Sequence, residues 1–389
     1  MDAQLDYPKR LDKIRAEMET EGIDVLVATR SKSVNYIAGA FVPWRSVAIV
    51  SRDGYAGLNT ILHDFARVSD ESWLENITPT GPAPGMELWE VTARQLAENG
   101  LDTGVVGIEL GHSPRIMTGW IMATERDYLV DSLPKATFTN ACPVTDRALY
   151  IKEPGEVELL RTASAIADAG QEKVKESLTI GMSETEVAGI GELELRKHGS
   201  EFHWAVTGST EIASGYRSCY PMGGCNPASE KPIQRGETLM VDLHPTYRHY
   251  YADLAHNYIL GKPTPEQQKL ADAYTSAVEL LVSSMKAGTK IGDVFKTVNE
   301  ELTRSGYAAH TVPCYGHGIG IIGHEWYPAI MDNDEFRDIV LEENVVEVAF
   351  LQMNVPEVGG MRLEANVLVT KDGGEMLHKT PLRPTVMDL

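Results

Sequence analysis

Between Pro8 and Glu21 apolar side chains recur at Leu11, Ile14 and Met18, the spacing of one helical face, and Gly22 closes that helix. Asp24–Thr29 reads as a buried strand; Ser46–Val50, Val105–Glu109 and Ala136–Thr139 continue an alternation of strand and helix. Residues 1–147 are thus expected to form a small α/β domain. Pro154-Gly155 punctuates the next stretch, after which Val157, Leu160 and Ala163 mark a helix. Helices are also predicted over Glu184–Lys197, from Thr264-Pro265 to about Ala287, and over Ile291–Ser305, the last two stopped by Gly288 and Gly306. Strand-like runs lie among them at Thr238–Asp242, Tyr250–Leu260, Val345–Phe350 and Met361–Thr370. Strands and helices segregated in this way predict an α+β domain over residues 148–389.

Composition narrows the partners. The 389 residues carry a net charge of -21, which argues against nucleic acid or an anionic membrane surface. No apolar run approaches the roughly 20 residues of a membrane span, and the N-terminal residues lack the basic and apolar regions of a signal peptide. Four cysteines without a CxxC pair make no disulfide framework. A soluble, cytoplasmic protein is expected.

The candidate chemistry lies in the second domain. His317-Gly-Ile-Gly-Ile-Ile-Gly-His324-Glu325 places two histidines around a glycine-rich turn, where the backbone can approach a ligand closely. Glu325 is placed to orient His324. Asp242 ends one strand and Asp253, eleven positions on, lies on the return strand, so a hairpin can bring both carboxylates to one point. Two carboxylates facing each other are costly unless a cation lies between them. Hairpin aspartates are common without any ligand, however, and the pair gains meaning only beside the histidines and Glu364.

These segments resemble the pita-bread family of methionine aminopeptidase, prolidase, aminopeptidase P and creatinase. The resemblance rests on Val241-Asp242 through Ala252-Asp253, on Gly316–Pro328, on Gly359–Thr370, and on the boundary run Tyr150-Ile-Lys-Glu-Pro-Gly-Glu156. It implies a pita-bread catalytic domain over residues 148–389, preceded by a creatinase-type N-terminal domain over 1–147. It implies Asp242, Asp253, His317 and Glu364 as metal ligands, with His317, His324 and Glu364 in catalysis. Arg362 would hold a ligand carboxylate, and His324 would contact the scissile group. Arg45 resembles an arginine that binds a substrate carboxylate in the neighbouring subunit, which implies a homodimer.

The chain departs from that pattern in three places. The fifth ligand, a glutamate, aligns with Phe350, and the Pro-Gly that should follow is missing. Glu347 is three residues away, an odd offset that puts it on the opposite strand face. The upstream histidine aligns with Cys225. Three remaining carboxylates favour one divalent ion (Mn, Zn, Fe or Co) or none. His244 and His256 either complete a shell or line the substrate pocket with Cys225, Phe350 and Arg362. The leading reading is a hydrolase of a peptide or amide C–N bond, acting on a dipeptide or small molecule. The alternatives are a creatinase- or ectoine-hydrolase-like enzyme working without metal, a lyase on the same scaffold, and a non-catalytic binding module.

Overall fold

The computed structural model describes residues 4–82, 85–110, 121–201, 210–220 and 226–389. The chain divides into two compact units, one spanning Gln4–Tyr150 and one beginning at Ile151. Among the described residues no helix is long and apolar enough to cross a membrane.

The first unit is a mixed six-stranded sheet. Its strands are β1 (Val25–Ala28), β2 (Val47–Ser51), β3 (Ala56–Ile61), β4 (Asn76–Thr80), β5 (Gly104–Ile108) and β6 (Ala136–Asn140), in the order β4-β3-β2-β1-β5-β6. Val25, Val27, Val47, Ile49, Val106 and Ile108 pack against Leu88, Trp89 and Leu96 of the helix Glu87–Glu98. The first helix runs Tyr7–Thr20, with Asp6 accepting from the backbone of Lys9 at its start.

The second unit is built on an eight-stranded sheet. Its strands in chain order are β7 (Glu211–Ser214), β8 (Thr238–Leu243), a small ribbon of β9 (Thr246–Tyr247) and β10 (Tyr250–Tyr251), then β11 (Leu254–Leu260), β12 (Gly316–Gly318), β13 (Val346–Val355), β14 (Gly359–Val369), β15 (Gly374–Met376) and β16 (Thr385–Met387). The main path is β12-β13-β14-β11-β8-β7, with β15 on β14 and β16 on β11; β9 and β10 pair only with each other. The expected single strand from Tyr250 to Leu260 is broken at Ala252-Asp253. There the Ala252 amide turns to the Pro245 carbonyl, and the Asp253 amide donates to the Asn366 side chain at 3.1 Å. Arg248 and His249, both at positive φ, make the turn that precedes the break.

Strand alternation separates the two faces of this sheet. Leu239, Val241 and Leu243 point to the helices Pro154–Ser177 and Glu184–Lys197 and pack with Ile166, Val174, Val187, Leu195 and Ile212. Gln171 ties that helix layer to the sheet by donating to the carbonyls of Val241 and Leu254. Asp242, one residue out of phase, points the other way.

Candidate metal centre

Antiparallel pairing puts directly opposed residues on the same face. The register links Phe350 to Glu364, Glu364 to Ala255, Ala255 to Asp242, and Asp242 to Glu211. These five side chains form one row across β13, β14, β11, β8 and β7. Ala255, with only a methyl group, sits between Glu364 and Asp242 and leaves space between their carboxylates. Two residues along each strand a second row follows. His317 pairs with Val348, and Val348 with Asn366. Asn366 accepts from the Asp253 amide, and His244, one residue past the end of β8, comes up beside Asp253.

The two rows converge on a buried polar centre. Asp253, His317, His324 and Glu364 each offer an atom within 4.8 Å of the others, and so do Asp242, His244, Asp253 and Glu364. Asp253 and Glu364 belong to both groups. His244 Nε2 lies 3.4 Å from Asp242 Oδ1 and 3.2 Å from Asp253 Oδ1. His317 Nε2 is 3.8 Å from Asp253 Oδ2, and His324 Nε2 is 4.0 Å from the same oxygen. His317 Nδ1 lies 3.2 Å from the Gly318 carbonyl. A carbonyl can only accept, so Nδ1 carries the proton and Nε2 turns its lone pair toward Asp253.

Neighbouring groups fix this geometry. Arg362 Nη1 donates to Glu211 at 2.7 Å and to Asp242 Oδ2 at 3.1 Å, and lies 3.7 Å from Glu364. It thereby leaves the other oxygen of Asp242 pointing into the centre. His317 stacks on His324 at 4.4 Å between ring centroids, and Trp326 packs on both rings. Gly318 is required by space: a Cβ there would come to 2.5 Å from the Tyr327 carbonyl.

The residues present fit a cation. Asp242 Oδ1, both oxygens of Asp253 and Glu364 Oε2 are buried without a hydrogen-bond partner. Unpaired buried carboxylate oxygens cost several kcal/mol apiece unless a positive centre satisfies them. The protonation balance agrees. Burial and the neighbouring Asp253 push Asp242 up to about 7, against the pull of His244 and Arg362. Burial and the repulsion of Asp253 and Asp242 hold Glu364 well above the usual carboxylate range. Burial opposes ionisation of Asp253 too, but His244 and its other partners outweigh it and hold that carboxyl below its ordinary value. Burial and the adjacent His317 push His324 down to about 3, so its ring is neutral at physiological pH. Nitrogen and oxygen donors mixed in this way suit Mn, Fe, Co or Zn better than an all-oxygen ion such as Mg.

Several expected positions fall elsewhere. His256 was a candidate for the shell or pocket, but it pairs with Val241 on the helix-facing side of β11. There it meets Tyr258 edge to face and bonds Thr385 at 2.8 Å, away from the centre. Its odd offset from Asp253 already dictates that face. Glu325 does not orient His324. It forms a buried ion pair with Lys152 at 2.7 Å and accepts from the Ile321 amide, pinning the turn between the two histidines. Phe350 does occupy the place beside Glu364, and Glu347 lies on the other face. Arg45 pairs with Glu125 at 2.6 Å within the first unit. Cys225 lies outside the described residues. Sequence reasoning missed Glu211, whose one signal is a polar residue opening the strand run Glu-Ile-Ala-Ser.

Glu347 carries a prediction of its own. It is fully buried, with both oxygens lacking hydrogen bonds, and burial raises it well above its ordinary value, offset in part by Lys152. An unfolded glutamate titrates near 4.3, roughly. The folded state therefore keeps its proton where the unfolded state has lost it. The stabilising contribution is complete below about 4.3 and is lost as pH rises toward and through the folded-state value. Glu347→Gln should remove that loss. Thermal midpoints of both proteins from pH 4 to 7 should show the wild type falling relative to the variant; parallel curves would refute the assignment.

The comparisons with known proteins follow the same outline. Residues 10–148 match the creatinase/prolidase N-terminal domain and residues 158–371 match metallopeptidase family M24. The chain is 33% identical over 230 residues to an Xaa-Pro dipeptidase of Pyrococcus horikoshii, an alignment covering 59% of this chain and 63% of that relative. The solved Xaa-Pro dipeptidase from Bacillus anthracis superposes with a TM-score of 0.83 at 25% identity, covering 98% of this chain and 100% of the other. The X-Pro aminopeptidase of Thermotoga maritima shares the fold, with a TM-score of 0.83 at 23% identity over 97% of this chain and 99% of that one. With more than half of its length matched, this chain belongs to metallopeptidase family M24.

Proposed function

We propose that this chain is a metal-dependent hydrolase that cleaves the C–N bond of an Xaa-Pro dipeptide or similarly small amide. The observation that carries the reading is the pair of overlapping donor groups sharing Asp253 and Glu364, with buried oxygens that no protein group satisfies. Relatives named Xaa-Pro dipeptidase support the substrate class. The reading includes one Mn, Zn, Fe or Co ion, a homodimer and a cytoplasmic setting.

Asp242, Asp253, His317 and Glu364 would hold the ion. Bound there, a divalent ion polarises a carbonyl and makes hydroxide available near neutral pH. Glu364 has the second task. Its carboxylate would take a proton from the attacking water and return it to the leaving nitrogen. His324, neutral and held flat against His317 and Trp326, directs a ring N–H at the developing oxyanion. Phe350 brings an apolar wall to the position beside Glu364 and excludes water on that side. Arg45 would bind the substrate carboxylate from the neighbouring subunit, exchanging Glu125 for that group.

The test is hydrolysis of Xaa-Pro dipeptides by protein treated with a chelator. Activity should fall below a tenth and return with one type of metal, and proline should be the released product. Chelator-resistant turnover would favour the creatinase-like alternative, which Phe350 at the fifth-ligand position supports. A product without incorporated water would favour a lyase.

A further inference from the structure

His244 is an imidazole on the centre's own face, and no step above uses it. It is almost fully buried, at 5% exposure. It lies one residue past the end of β8, beside both Asp242 and Asp253. Its Nε2 lies close to one oxygen of each aspartate, at 3.4 and 3.2 Å. Yet Asp242 Oδ1 and Asp253 Oδ1 remain without a hydrogen-bond partner. Asp242, His244, Asp253 and Glu364 each offer a ligand atom within 4.8 Å of the others. Donors with that relation share a point between them, as ligands of one centre do.

The other side of the centre is altered in the opposite sense. Phe350 stands directly beside Glu364 and offers no ligand atom. The His317 side therefore joins two carboxylates to two imidazoles, and the Asp242 side joins three carboxylates to one. There Asp242, Asp253 and Glu364 supply three carboxylates and His244 a nitrogen, all four residues buried.

We propose that His244 is a metal ligand of this protein, and that the primary cation position is the group Asp242, His244, Asp253 and Glu364. The consequence is a division of labour. An ion held on that side takes His244 in place of the His317 named above, and leaves His317 and His324, stacked on each other, for the substrate. An imidazole among the ligands also turns the preference toward Zn, Co or Fe. This proposal rests on the metal-dependent reading above.

The test uses full-length protein stripped of metal, with Zn²⁺ followed by equilibrium dialysis and Co²⁺ by visible absorption. His244→Ala and His244→Gln should weaken Zn²⁺ binding by more than about 100-fold, beyond the 10–100-fold that an outer-shell partner commands. Both should change the Co²⁺ ligand-field bands, while His317→Ala should weaken binding less. Far-UV circular dichroism establishes that the variants are folded, and the glutamine variant covers a failure of the alanine one. Unchanged affinity and Co²⁺ spectrum in a folded His244 variant, with binding lost in His317→Ala, would overturn the assignment while leaving the metal-dependent reading intact. A wild-type protein that retains no Zn²⁺ or Co²⁺ would overturn both.

Discussion

Replacing Asp253 by asparagine should lower hydrolysis by about 1,000-fold or more, a loss of about 4 kcal/mol of transition-state stabilisation. The substitution keeps the size of the side chain and the backbone amide that donates to Asn366. It removes one negative charge, and that charge belongs to both donor groups. His317, His324 and His244 all approach Asp253 within 4.0 Å. The measurement pairs elemental analysis of bound metal with turnover of an Xaa-Pro dipeptide. Both should fall together. Activity within tenfold of wild type, in protein that has lost its metal, would show that the centre is not the seat of the chemistry.

The second large effect is a gain. Phe350→Glu should raise bound metal from one equivalent toward two. The side chain at 350 is registered opposite Glu364, on the face that carries Asp242 and Ala255. A carboxylate there adds the donor that the Asp253, His317 and Glu364 side lacks. Directly opposed like charges on neighbouring strands repel each other. The metal-free variant should therefore melt below the wild type, and Mn²⁺ should stabilise it by a larger margin, since ligand binding to the folded state adds stability. Metal content by elemental analysis and melting with and without Mn²⁺ are the two readouts. A variant that still binds one equivalent, with an unchanged Mn²⁺ response, would place the missing donor elsewhere.

Much of the arrangement was legible from periodicity. Helices Glu184–Lys197 and Ile291–Ser305 run over the spans expected of them, the second stopped by Gly306. Period-two alternation placed Glu347 on the strand face opposite Phe350, as the β13–β14 register has it. The same parity rule, applied to His256, would have removed it from the pocket. Boundaries were less legible. β13 continues to Val355, because Gln352 and Asn354 pair with Arg362 and Gly360 on β14 even though they are polar.

The sequence by itself settled the character of each strand face, the hairpin that joins Asp242 to Asp253, and the crowding of small residues around His317. All of these follow from interactions within a dozen residues, where backbone geometry leaves few choices. Only the tertiary structure decided which side chains share the centre. Glu211 meets Arg362 across 151 positions, Lys152 reaches Glu325 across 173, and His244 comes to 3.2 Å from Asp253 just past the end of β8. Register between distant strands is set by the packing of whole faces and by turn geometry. It leaves no local signature that a single chain of letters can carry.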